Sequence, residues 1–91
     1  MLFIVVLEWE KEFFMARRHA TYKKILPLLK EMREGAGLSQ RALSRKLRKP
    51  QGWVFRTETD RRRIDVLEFA AWAVACGVDP VKALKRFDES L

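Results

Sequence analysis

The sequence predicts an all-α chain, five short helices in an orthogonal bundle with a short N-terminal extension. Three observations carry that prediction. From about residue 22 onward, apolar residues recur at helical spacing. Residues suited to capping stand directly ahead of these runs, and glycine or proline punctuates their ends. The connections between runs are short, which suits helices packed on their sequence neighbours.

Residues 22–36 form the first helix, with Ile25, Leu28 or Leu29, and Met32 on one stripe and Lys24, Lys30, Glu31 and Glu34 elsewhere. Thr21 is placed to cap its start. Pro27 fits only in the first turn or at a bend, and Gly35 and Gly37 end the helix. Ser39 is the N-cap of the second helix, Gln40 to about Leu47, whose inner face carries Leu43 and Leu47. Pro50 opens the third, which runs to about Thr59 with Val54 inward and Thr57 and Glu58 beside it. Asp65 and Glu68 have capping-box spacing for a fourth helix. Leu67, Ala70, Ala71, Trp72 and Val74 make it largely apolar, and Gly77 stops it. Asp79-Pro80 starts the fifth with proline at its first position, and Val81, Leu84 and Phe87 supply its apolar face.

Residues 1–20 read as an extension and 21–91 as the domain. The segment Leu7-Glu8-Trp9-Glu10-Lys11-Glu12-Phe13 alternates apolar and charged residues, which is strand periodicity. A lone strand has no partner within the chain, so it pairs with a second copy or stays loosely attached. The other reading is an over-extended gene start, with translation beginning at Met15; both stay open. The apolar start, Met1 to Leu7, has no basic region before it and no small-residue cleavage site after it. Neither a signal peptide nor a membrane span is expected.

Length and charge narrow the function. Ninety-one residues suit one small domain. The single cysteine, Cys76, excludes an intrachain disulfide, and no Cys/His cluster offers a zinc site. This fits a reducing cytoplasm. Residues 39–63 contain nine basic side chains, Arg41, Arg45, Lys46, Arg48, Lys49, Arg56, Arg61, Arg62 and Arg63, against Glu58 and Asp60. Nine minus two is +7, the formal charge of the entire chain. A basic patch confined to one segment is the electrostatic footprint of a nucleic-acid-facing surface. No nucleophile, base and orienting acid can be assembled around the single histidine, His19, so an enzyme is not expected. Neither a cofactor, a metal nor a small-molecule ligand is expected.

The basic segment coincides with the second and third helices and their tight connection, a helix-turn-helix. Gly37-Leu38-Ser39-Gln40, Ala42-Leu43, Lys46-Leu47, Gln51, Val54, Glu58 and Gly77-Val78-Asp79-Pro80 resemble, in order and spacing, the Cro/CI-type family. That family is also called XRE or lambda-repressor-like, and the resemblance spans roughly residues 22–87. It implies a five-helix lambda-repressor-like DNA-binding domain. By resemblance Gln40 touches phosphate and braces Gln51, which reads an adenine edge; a carboxamide offers one donor and one acceptor, matching adenine N6 and N7. The resemblance also implies a structural ion pair between Arg33 and Glu58.

The chain departs from that pattern at Gly52, where a DNA-reaching side chain is common, and at Phe55, a place usually filled by a small polar residue. Thr57 replaces a large apolar residue, and Asp60 stands where glycine commonly turns the chain. With Val54 at the centre of the buried face, residues 52, 55, 56 and 59 point outward; Trp53 falls to the rim. Gln40, Arg41, Arg61, Arg62 and Arg63 are the expected positioning contacts, and Gln51, Phe55 and Arg56 the expected readers, with Gly52 allowing close backbone approach. The reading is a sequence-specific regulator of bacterial or phage origin. It represses by occupying double-stranded DNA, as a homodimer formed through the last helix or the N-terminal segment. The alternative is a protein-interaction or antitoxin-like module on the same fold with weakened base reading, suggested by Gly52, Phe55 and Thr57. A further rival is a non-specific nucleic-acid binder.

Overall fold

Three helices begin where a side chain caps them, and these starts fall where the sequence places them. In the computed structural model, which describes residues 20–91, the helices are α1 (Ile25–Gly35), α2 (Gln40–Lys46), α3 (Trp53–Glu58), α4 (Val66–Ala75) and α5 (Pro80–Glu89). There is no strand among the described residues. The strand-like reading of residues 7–13 and the start at Met15 lie outside them. Ser39 Oγ accepts from Ala42 N–H at the start of α2. Asp65 and Glu68 close a reciprocal capping box on α4. Asp79 accepts from Val81 N–H ahead of Pro80, satisfying a donor that the first turn leaves unpaired.

Two starts differ from expectation. Residues 20–23 are already helical, but a turn at Lys24 interrupts them and α1 begins afresh at Ile25. Thr21 thus lies within the earlier helical turn and is not the cap of α1, whose N-cap position is Lys24; the Thr21 carbonyl accepts from Lys24 N–H in the turn. Pro27 falls in the first turn of α1, where its missing N–H is not needed. The third helix begins at Trp53, not Pro50, because Gly52 has φ +85° and no right-handed helix accommodates that conformation. Pro50, Gln51 and Gly52 form the turn itself, closed by Trp53 N–H donating to Pro50 O.

The core lies between α1 and the other helices. Leu29, Leu43, Val54, Trp72, Ala73 and Ala83 have no exposed surface, and Leu28, Met32, Phe69 and Cys76 pack around them. Trp72 fills the centre, and its indole N–H donates to Leu29 O at 3.0 Å, so its one polar atom is satisfied where water is absent. Trp53 lies at 6.1 Å from Trp72, ring to ring, and is 6% exposed. It is a core residue, not a rim residue as its position suggested. Its indole fills space that the short α3 could not fill with Val54 alone. Helix α5 buries only Ala83 fully, leaving Val81 and Leu84 exposed and Phe87 half-buried.

Candidate nucleic-acid interface

Helix α3 turns one face inward and one outward. Trp53, Val54 and Thr57 are buried, while Phe55 and Arg56 are exposed, as is Gln51 just ahead of the helix. A six-residue helix cannot hold this attitude by its own hydrogen bonds, because nearly all its terminal groups lack intrahelical partners. Its neighbours hold it. Ser44, 2% exposed on the inner side of α2, accepts from Val54 N–H at 3.1 Å. The N-terminal cap of α3 is thus supplied by another helix, since Gly52 has no side chain to supply it.

At the other end of α3, Glu58 gathers three donors. Arg33 Nε and Nη2 reach its two carboxylate oxygens at 2.6 and 3.1 Å, and Gln40 Nε2 reaches Oε1 at 2.9 Å. Arg33 also donates to Leu38 O at 2.9 Å. The pair is nearly sealed from water, with side-chain exposures of 9% and 4%. The hydrogen bond to Glu58 holds the Arg33 pKa above its ordinary value, against the opposing effect of burial. Gln40 is drawn inward by this carboxylate; the carboxamide expected to brace Gln51 instead ties α2 to the end of α3.

The remaining candidates form pairs. Arg56 folds back over Gly52, where a β-carbon would sit 3.0 Å from its Nη1. The Arg61 guanidinium lies over the Phe55 ring, 5.4 Å from its centroid. Arg41 and Gln51 line one hollow together with Ser44, Arg45 and Lys49. The arginine triplet divides. Arg62 turns inward: it bonds both Glu68 oxygens at 3.1 Å, donates to Thr57 Oγ1 at 3.3 Å and covers Trp53 at 4.4 Å. Arg63 stacks on Tyr22 at 4.2 Å, and the Tyr22 hydroxyl accepts from Ile64 N–H. Thr57 is fully buried but not unsatisfied, because its hydroxyl donates to Trp53 O at 2.8 Å and accepts from Arg62. Asp60 adopts φ +62°, the left-handed turn that glycine commonly makes.

The sequence reading does not single out Ser44, although a serine between inward-facing positions is a cue that its hydroxyl has a partner. Arg45 and Lys49 enter the sequence reading only as charge.

A sequence family described as a helix-turn-helix domain matches residues 28–84, well over half of the chain. No match was found among curated proteins. Among solved structures the chain is similar to an XRE-family like protein from Pseudomonas syringae pv. tomato str. DC3000. Identity is 36%, the TM-score is 0.77, and the match covers 84% of this chain and 93% of that one. The chain belongs to the XRE-like helix-turn-helix family. Membership in this family places it among DNA-binding regulators in general. No helix among the described residues is long and apolar enough to cross a membrane.

Proposed function

We propose that this XRE-like protein is a sequence-specific regulator that lays the exposed face of α3 in the major groove of double-stranded DNA and represses by occupancy. The observation that carries the reading is the split of α3: Val54 and Thr57 have no exposed surface while Gln51, Phe55 and Arg56 stand in solvent beside a basic rim. Gln51 reads an adenine edge. Phe55 contacts a thymine methyl or a sugar, and Arg56 a guanine or a phosphate. Arg41, Arg61 and Arg63 position the duplex backbone, while Gln40, whose amide donates to Glu58, braces the end of α3. Arg62 is reassigned from that group to the scaffold, since Glu68 and Thr57 already use its donors. One short reading helix makes few base contacts, so the protein acts as a homodimer with half-sites about one helical turn apart. The exposed Val81, Leu84 and Leu91 beside Phe87 supply the dimer surface. The setting is the cytoplasm of a bacterium or of a phage-infected cell.

The test is a mobility-shift comparison of the protein's own upstream DNA with scrambled DNA at two salt concentrations. Specific regulation predicts tighter binding to the native sequence. Gln51→Ala should cost about 1–3 kcal/mol on that site and relax preference at a single base pair. Equal affinity for both duplexes would make the protein a non-specific binder. No shift, with salt-insensitive binding to a protein partner, would favour the antitoxin-like alternative, for which the exposed Phe55 is the supporting observation.

A further inference from the structure

Helix α2 carries Arg41 and Arg45 four residues apart, on one face, and both are exposed. Like charges at this spacing repel and weaken the helix that carries them. Lys49 closes the same region from the turn. Its backbone N–H donates to Ser44 O at 2.9 Å, Arg48 before it takes φ +57°, and its ammonium lies 5.3 Å from the Trp53 ring centroid. The turn therefore returns a third cation to the two on α2. Together with Ser44 and Gln51 these side chains line a hollow of about 220 Å³. No carboxylate lines it, and no ion pair involves Arg41, Arg45 or Lys49 among the described residues. The Ser44 hydroxyl accepts from Val54 N–H, while its own proton finds no protein acceptor among the described residues.

We infer that this hollow is an anion site that takes one backbone phosphate of the bound duplex, with Arg45 and Lys49 as its principal holders. The wall offers guanidinium, ammonium, amide and hydroxyl donors, and a phosphodiester offers two unbridged acceptor oxygens and a single charge. Gln51 belongs both to the hollow and to the edge of α3, so a phosphate held here fixes the depth at which α3 meets base edges. The assignment rests on the DNA reading proposed above and adds two residues to it.

The experiment uses the full chain, Arg45→Gln and Lys49→Gln variants, and duplexes of the preferred site carrying one methylphosphonate at a time. Each variant should lower the slope of log affinity against log salt by about one and leave the order of preference among sequences unchanged. One methylphosphonate position should weaken the wild type and have no further effect on the doubly substituted protein. Unchanged slopes in both variants, or an undiminished loss at every methylphosphonate position, overturn the assignment. Saturable binding of inorganic phosphate that both substitutions abolish, with duplex binding unaltered, overturns it in favour of a free anion. A wild type that binds no duplex at all refutes the DNA reading itself, which separates the two failures.

Discussion

Ser44 caps a helix to which it does not belong: its Oγ accepts the Val54 N–H at 3.1 Å, across the turn from α2 to α3. The N–H is buried, so removing the oxygen leaves a donor without water or partner. Ser44→Ala should lower stability by about 1–2 kcal/mol, in the range of lost helix caps, despite the better helix propensity of alanine. Urea unfolding followed by tryptophan fluorescence would measure it. A loss confined to a few tenths would mean that the cap is unimportant.

The Arg33–Glu58 pair should show strong coupling. Breaking a buried pair by removing one partner costs about 3–5 kcal/mol, because the other charge is stranded. Glu58→Ala should therefore be severely destabilising, and Arg33→Met together with Glu58→Leu should cost less than the sum of the single changes. A double-mutant cycle in urea reads this directly. Additive losses would show that the two side chains act independently.

Gly52 tests backbone against side chain. A β-carbon at φ +85° is strained, by about 1–2 kcal/mol for a left-handed residue. The clash with Arg56 Nη1 adds little, since the far end of a flexible side chain can move away. Gly52→Ala should accordingly destabilise the protein by about that amount in the Arg56→Ala background as well. If Arg56→Ala relieved the loss, the contact and not the backbone would be responsible.

Burial pushes the Cys76 thiol pKa above its ordinary 9.0, with Lys46 and Arg33 opposing the rise. The unfolded chain then loses this proton at lower pH than the folded protein. Stability associated with the thiol is intact below about pH 9 and falls as pH rises toward the folded pKa. Cys76→Ala should remove that part of the alkaline decline. In the same vein, iodoacetamide should label native Cys76 at least ~10-fold more slowly than the urea-unfolded chain. Equal labelling rates would contradict the burial.

Local signals were legible and cross-helix ones were not. Ser39, Asp65 with Glu68, and Asp79-Pro80 act within four residues of themselves, so their spacing alone gives the starts of α2, α4 and α5. Sequence points to Pro50 for the start of α3 because proline is a good local opener, whereas the true start depends on Ser44 from α2 and on the conformation of Gly52. Trp53 reads as a rim residue because its place on a short helix is ambiguous; only the arrangement of α4, which brings Trp72 against it, makes it core. In the candidate site, exposure of Phe55 and Arg56 follows from taking Val54 as the inward centre, whereas that choice leaves Gln51 on the flank and the turn ahead of α3 exposes it. The partners of Gln40 and Arg62 did not follow, since Glu58 and Glu68 compete for them through space and not along the chain.

The tethering of α3 has a mechanical consequence. Held by Ser44 at its head and by Arg33 and Gln40 at its tail, the helix is fastened at both ends by α1 and α2. A partner whose curvature does not match must itself flex, so intrinsically pliable base steps outside the contacted positions would be favoured through the elastic energy they save.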